Sequence, residues 1–429
     1  MGHGAITRPK EEYFDSSKGA LLQKIFLIAG IVGILGSVIF LAVGIASGIE
    51  DIQRQFAYSY LFAYMVCFTI CSGMLFWTML HHAVDAKWSV ILRRILENFA
   101  CLSAVLLLFF APIVWFIYIN PLFNGWSLLD WWMVKPGQDV LYDWKAGFLN
   151  PTFLTIRFIF YFLVFIGLSW WLRSISKNQD KIGDEQIRLG FIKKHSNIIM
   201  RKISYAGLVG FGLMITFIGI DLLMALNFHW FSTMWGVYIF AGSAQASMAL
   251  LIITSNALRN AGFLREVMTV EHNHIMGKLL FAFTVFWAYI SFSQYMLIYY
   301  ANIPEETIFF TMRNTGSWKF MSYALVVLHF FLPFLMLLTQ PGKWDQRRLL
   351  TVCTIILIMH CVDHYWIVMP QLQYSIDHYT SGIAFHPFDI LNLVGIVGIL
   401  GFFFIRSLSK GALFPHKDPR LFESVTLIN

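Results

Sequence analysis

LLQKIFLIAGIVGILGSVIFLAVGIASG, residues 21–48, has one glutamine and one lysine near its start and no other charged or amide side chain. A continuous apolar run of this length spans a hydrocarbon core of about 30 Å at about 1.5 Å per residue. Nine further windows repeat the pattern, at 57–80, 96–119, 153–173, 203–225, 232–257, 278–300, 318–338, 349–369 and 388–406. They are numbered helices 1 to 10 in chain order. The runs are continuous rather than alternating, and longer than the roughly 10 residues of a barrel strand, so helices are expected. The fold class is an all-α integral membrane protein with ten transmembrane helices.

Composition agrees with that reading. Of the 429 residues, 58% are hydrophobic and 13% charged, and the mean hydropathy of +0.65 lies outside the soluble globular range. The chain carries 31 Lys and Arg; only Arg54, Lys135, Lys145, Arg157, Arg313 and Lys319 fall on one side of the predicted topology. The remainder gather on the other side, which places both termini in the cytoplasm. The net charge of +7 reflects this asymmetry. No basic, aromatic-interleaved domain points to nucleic acid, whereas cationic loops suit anionic lipid.

No cleavable leader is expected, since Glu11, Glu12 and Asp15 precede helix 1. MGHGAIT at 1–7 has Ile6 where a myristoylation signal wants Ser or Thr. All five cysteines (Cys67, Cys71, Cys101, Cys353 and Cys361) fall inside predicted helices with no CxxC or CxxCH, so packing is their expected role. Iron–sulfur or c-type haem ligation by thiolates is excluded, and electrons must pass to another subunit.

The plan of helices 2 and 3 resembles that of helices 6 and 7. Each pair opens with aromatics (FAYSYLFAY; HWFSTMWGVY), turns through a basic connection, and re-enters at a polar patch, RRILEN (93–98) or EHNHIMGK (271–278). The two pairs run in the same direction, which predicts a parallel repeat of two four-helix bundles, helices 2–5 and 6–9, flanked by helices 1 and 10. The expected layout is a cytoplasmic segment 1–20, helix 1 in 21–56, the first bundle in 57–225 and the second in 226–370. An outer loop with helix 10 follows in 371–408, then a cytoplasmic tail in 409–429. Helices 1 and 10 share the heptapeptide GIVGILG, at 30–36 and 395–401. Its glycines suit close helix contact, although repetition of a common apolar string is an equal reading. The Trp-rich stretch 120–151 is expected outside, 173–202 is a basic cytoplasmic stretch, and IPEET (303–307) opens a short outer helix.

Ionisable groups at membrane depth are costly, so they mark function or pairing. IMHCVDHYWIVMPQ (358–371) places His360, Asp363 and His364 on one helical face by i, i+3, i+4 spacing. The two histidines lie about 17 and 23 Å from the cytoplasmic end of helix 9. At similar height lie Arg157, Asp221 and, where helix 10 begins, His386, Asp389 and Asn392. Arg157 with Asp221 reads equally as a structural pair. The three groups of helix 9 point to proton transfer or a polar ligand pocket, with Arg157 tuning the outer charges. On the inner side Glu97, His272 and His274 are candidates for proton transfer, beside His81, His82, Asp85 and Lys278. Burial is expected to favour a protonated Glu97. Gln245 and His329 lie between the two sets. His and carboxylates suit a relay because they titrate near working pH. A b-type haem would need a pairing such as His81 or His82 with His274, or His329 with His360; none carries a motif, and no metal site is expected.

EHNHIMGKLLFAFTVFWAYISFSQYMLIYYANIPEET (271–307), HHAVDAKWSVILRRILEN (81–98), HPFDILNLVG (386–395) and KDPRLFES (417–424) together resemble a known pattern. It is that of the second polysulfide-reductase-like (NrfD-like) membrane subunit of bacterial alternative complex III, and the resemblance spans essentially the full length. It implies a subunit of a quinol:cytochrome c, or quinol:acceptor, oxidoreductase in the bacterial cytoplasmic membrane. The partners implied are a sister NrfD-like quinol-binding subunit, an iron–sulfur subunit and c-type cytochrome subunits, which would carry the clusters and haem c. Menaquinone or ubiquinone is the implied quinone, and a quinone pocket on this chain stands open beside its expected proton transfer. The quinol-contacting residues of the sister subunit do not map position by position onto this chain. Two rival readings stand beside it: a stand-alone ion-coupled transporter, and a structural scaffold of the same complex.

Overall fold

The computed structural model describes residues 9–49, 51–181, 191–377 and 382–427. The heptapeptide 1–7 and the centre of the basic stretch 173–202 lie outside them. Among the described residues there is no strand, and ten helices are long and apolar enough to cross a membrane. They are α1 (Ser16–Ala46), α2 (Ile52–Ala83), α3 (Trp88–Asn124), α4 (Pro151–Asp180), α5 (Ser196–Leu226), α6 (Trp235–Asn260), α7 (Val270–Ala301), α8 (Trp318–Leu338), α9 (Gln346–Ser375) and α10 (Pro387–Leu408).

The helices correspond one to one with the apolar windows but overrun them: α7 starts at Val270, not 278, and α4 continues to Asp180. Hydropathy registers only the hydrocarbon-facing turns, whereas a helix ends where its backbone is capped. Asp15 accepts from the Ser17 amide at 2.9 Å, and Asn150 accepts from the Phe153 amide at 2.8 Å ahead of Pro151. Thr269 with His272, and His386 with Asp389, form reciprocal capping boxes for α7 and α10. IPEET does open a short helix, Pro304–Asn314. In the outer stretch Trp131 folds inward while Trp144 is exposed.

Small residues decide which helices occupy the centre. The apolar span of α2 is 94% buried and that of α6 78%, against 17% for α1. A Cβ at Gly73 of α2 would lie 2.4 Å from the Ser243 carbonyl oxygen of α6, so the two backbones nearly touch. The Ser243 hydroxyl donates to the Thr69 carbonyl at 2.6 Å and the Trp77 indole to the Ala244 carbonyl at 3.0 Å. Packing pairs α2 with α3, α5, α6, α9 and α10, and α6 with α5, α7 and α9. Further pairs join α3 to α4, α4 to α5, α7 to α8 and α8 to α9.

The duplicated heptapeptide is a packing device. α1 lies along α10, and Cβ atoms at Gly30, Gly33 and Gly398 would each fall within 3 Å of backbone atoms of the facing helix. Gly33 faces Gly395 and Gly30 faces Gly398. These antiparallel pairs carry one short sequence into contact with itself across a local two-fold. One turn on, Ser37 donates to Asn392 Oδ1 at 2.6 Å.

Two interruptions matter for the interior. Pro370 sits inside α9 and cannot donate to the Trp366 carbonyl. Buried Arg313 takes up that acceptor, donating from Nε to the Trp366 oxygen at 2.9 Å and from Nη2 to the Ile367 oxygen at 2.5 Å. In α8 the turns at Leu325–Phe331 widen to π geometry just before Pro333, which re-aims His329. The first and last described segments meet on one side, where Tyr13 and Ala412 form a bridge and the Leu413 amide donates to the Glu12 carbonyl at 2.8 Å.

Candidate functional site

In the interior, α2, α6, α7, α8 and α9 bring Thr69, Tyr238, Trp287, His329, His360, Asp363 and His364 together, all buried. The helical spacing read from 358–371 does place its three titratable groups inward. Thr69 Oγ1 donates to the Met65 carbonyl at 2.8 Å and lies 2.9 Å from His360 Nε2, so Nε2 carries the proton and Nδ1 is left as an acceptor. His364 Nδ1 donates to the His360 carbonyl at 3.1 Å, which leaves its Nε2 as an acceptor. Neither acceptor nitrogen has a protein partner, nor does either ring nitrogen of His329.

The rings of His360 and His364 are 4.4 Å apart, and His329 stacks edge-on against Trp287 at 4.3 Å. The Asp363 carboxylate accepts from the Tyr238 hydroxyl. The Trp287 indole nitrogen lies near Asp363 without completing a hydrogen bond. Gln245, one turn from the Gly242 position that faces the His360 ring, donates to Thr284 at 3.1 Å and keeps Oε1 unpartnered. Each unpartnered buried polar atom costs about 1–3 kcal/mol. Four imidazole nitrogens in one interior are therefore a liability for stability, and a place where protons or water are received.

The other outer candidates are placed differently. Asp389 accepts from Ser59 at 2.5 Å, from the His386 amide at 2.9 Å and from Tyr365 at 3.3 Å, which fixes the start of α10. Arg157 grips Asp221 through Nε at 2.8 Å and Nη2 at 2.9 Å, and Tyr161 also donates to that carboxylate. Nη1 of Arg157 donates to the Phe148 carbonyl at 3.1 Å, and the guanidinium lies 3.8 Å from the Phe148 ring. Among the described residues no side-chain contact joins this pair to the α9 histidines. The guanidinium expected to tune the outer charges is held at the α4–α5 contact, because a bidentate carboxylate saturates it.

Near the C-terminal tail Glu97 is buried among three guanidinium groups: Arg173 at 3.0 Å, Arg94 at 3.5 Å and Arg93 at 3.7 Å. Arg93 and Arg94 belong to the same segment as Glu97, whereas Arg173 reaches it from α4. His272 is spent on the α7 capping box, with Nε2 3.4 Å from Ser424; His274 lies 3.6 Å from Glu271 and beside Trp344. The C-terminal tail links these parts. Asp418 accepts from Arg93 at 2.6 Å and from Arg420 at 3.0 Å, Arg420 also donates to Asp85 at 2.6 Å, and Ser424 donates to the Trp88 carbonyl at 2.8 Å.

Burial pushes the Asp418 carboxyl up, but Arg93 and Arg420 outweigh it and hold the group well below the usual carboxylate range. A depressed folded-state pKa stabilises above the unfolded value of about 4 and loses that stabilisation as pH falls toward the folded value. Amide protection of residues 418–425 is therefore expected to hold from about pH 8 to about pH 5 and to decline only below about pH 4. Loss of protection between pH 7 and pH 5 would contradict this.

A groove of about 780 Å3 opens to the surface between α3 and α4. Its hydroxyls, Tyr118 and Thr155, bond to each other at 2.9 Å, and the rest of its lining is apolar. Among the described residues no group of three His, Cys, Asp or Glu is placed to hold a metal ion. No family model matches the chain, and no curated protein matches it.

Sequence reasoning missed Thr69, Tyr238, Trp287 and Arg173. Tyr238 had a legible sign, since it lies seven residues before Gln245 and so shares its face. Thr69 and Trp287 read as ordinary packing residues in apolar runs, and Arg173 as part of a basic loop.

Proposed function

We propose that this chain is a membrane subunit of a respiratory quinol:cytochrome c or quinol:acceptor oxidoreductase, and that it transfers protons for partners that carry the redox groups. The observation that carries the reading is the interior of Tyr238, His329, His360, Asp363 and His364, with acceptor nitrogens unpaired. Supporting it is the resemblance of residues 81–98, 271–307, 386–395 and 417–424 to the NrfD-like subunits of alternative complex III. The ring of contacts α2–α3–α4–α5 and its counterpart α6–α7–α8–α9 support two four-helix bundles flanked by α1 and α10. The distribution of Lys and Arg supports cytoplasmic termini in a bacterial inner membrane.

In this mechanism a proton moves between neutral imidazoles. His364 Nε2 and His360 Nδ1 each take up a proton and release it from the same nitrogen, since His364 Nδ1 and His360 Nε2 are held by the His360 carbonyl and Thr69, and water bridges the span to His329. Asp363 supplies the negative charge that stabilises a transient imidazolium, with Tyr238 holding it in place. The α3–α4 groove lacks a free polar group to seat a quinone head, so quinol oxidation is assigned to a partner subunit. The iron–sulfur clusters and haem c are assigned to partners too.

Asp363→Asn and His329→Leu, each made in the intact assembly, are expected to lower the rate of proton release coupled to quinol oxidation by at least about tenfold. Haem content should be unchanged. Unaltered turnover and proton yield in both variants would remove the relay. Affinity purification separates the transporter reading, because a transporter would come out alone and a complex subunit with haem-bearing partners.

A further inference from the structure

Arg313, near the end of the short helix Pro304–Asn314, is a buried cation that the proton transfer described above does not use. Among the described residues it makes no ion pair. Its nitrogens go to carbonyls instead: Nε to Trp366 at 2.9 Å, Nη1 to Phe309 at 2.8 Å and Nη2 to Ile367 at 2.5 Å. The guanidinium lies 3.5 Å from the Phe309 ring and 5.4 Å from that of Trp366, while Trp235 packs on both Phe309, at 5.6 Å, and Tyr238, at 5.4 Å. Such an aromatic wall keeps mobile ions and water away, so the charge is weakly screened.

The same interior holds a carboxylate with the opposite deficit. Asp363 accepts from the Tyr238 hydroxyl, and among the described residues no Arg or Lys pairs with it. The other titratable groups there are Tyr238 from α6, His329 from α8, and His360 and His364 of α9 itself; α2 and α7 contribute Thr69 and Trp287, which do not titrate. None of them is a permanent cation.

Two links join the guanidinium to this carboxylate. Trp366 and Ile367 come three and four residues after Asp363, a rise of about 4.5–6 Å, so hydrogen bonds to their carbonyls put the guanidinium roughly 10 Å from the acid. The second link is Tyr238, which lies within electrostatic reach of Arg313. A cation beside a phenol strengthens its O–H as a donor, and a stronger donor favours an ionised acceptor. At roughly 10 Å and an effective dielectric of about 20, the direct attraction alone changes a proton affinity about tenfold.

We propose that Arg313 is a positioning residue for the relay: acting through Tyr238 and across one turn of α9, its guanidinium holds Asp363 as the carboxylate that proton transfer needs. This role in transfer rests on the relay reading, whereas the charge coupling itself does not.

Infrared titration of the full chain in detergent tests it, following the carboxylic-acid carbonyl band that Asp363→Asn removes. In the unaltered protein Asp363 is expected to be a carboxylate at pH 7. Arg313→Gln should move its titration midpoint up by about one pH unit, a tenfold gain in proton affinity, and Arg313→Lys, which keeps the charge, should restore most of the shift. An unmoved midpoint in Arg313→Gln, equal midpoints in the Gln and Lys variants, or an Asp363 acid band in the unaltered protein at pH 8 would each overturn the proposal. Should Arg313→Gln fail to fold, Tyr238→Phe decides: it removes the bridge and keeps the charge, so the midpoint should rise, and a fixed midpoint ends the idea. Because the readout needs no turnover, the expected titrations with unaltered proton release in Asp363→Asn would remove the relay and leave the coupling, and the reverse pattern would remove Arg313 alone.

Discussion

Replacing Arg157 with methionine is expected to destabilise the protein by about 3–5 kcal/mol, the cost of leaving a buried charge without its partner. Asp221 is 1% exposed, and two of its three donors come from the Arg157 guanidinium. Tyr161 alone cannot compensate a carboxylate in that interior. Asp221→Leu should cost a similar amount, because it strands a guanidinium packed between Phe148 and Phe153. The double variant Arg157→Met with Asp221→Leu should recover most of the loss, since apolar groups of similar volume replace a buried pair at little cost. Equilibrium unfolding in micelles of the two single variants and the double one measures the coupling. Single-variant losses below about 1 kcal/mol would show that the pair is wetted rather than sealed.

Gly33→Leu is the second large effect. Its Cβ would lie 2.5 Å from the Gly395 amide nitrogen and 2.6 Å from the Gly395 Cα, and backbone atoms there cannot rotate aside. The same holds for Gly398→Leu, 2.4 Å from the Gly30 nitrogen. Either change forces α1 off α10 at a cost of about 3 kcal/mol or more. Because α1 is mostly lipid-facing, the loss falls on the seating of this one helix rather than on the whole fold. A cysteine pair at Ser37 and Asn392, whose side-chain oxygens are 2.6 Å apart, reports it directly. Oxidative cross-linking should be near complete in the parent and fall several-fold in either glycine variant. Equal yields would mean that the shared heptapeptide is not what holds the two helices together.

The helices were readable because burial in lipid imposes a demand on every residue of a span at once, and ten continuous apolar windows satisfy it. The face of α9 was readable for a similar reason, as His360, Asp363 and His364 are fixed relative to one another by helical geometry alone. Glu97 shows where such local reasoning stops. Its own segment announces Arg93 and Arg94, but Arg173 comes from α4 and Asp418 from a tail more than three hundred residues away. His272 shows the same limit in the other direction, since a histidine that looks free to titrate is consumed by the backbone of its own helix start.

By itself, then, the sequence determined that the chain carries ten helices long and apolar enough to cross a membrane and which side chains must turn away from lipid. Both follow from local chemistry, the cost of polar groups in hydrocarbon and the pitch of a helix. Only the tertiary structure decided which buried groups neutralise one another and which keep unpaired nitrogens. That choice depends on distances between helices remote in the chain, set by where Gly73, Ser243 and the paired glycines of α1 and α10 let backbones approach.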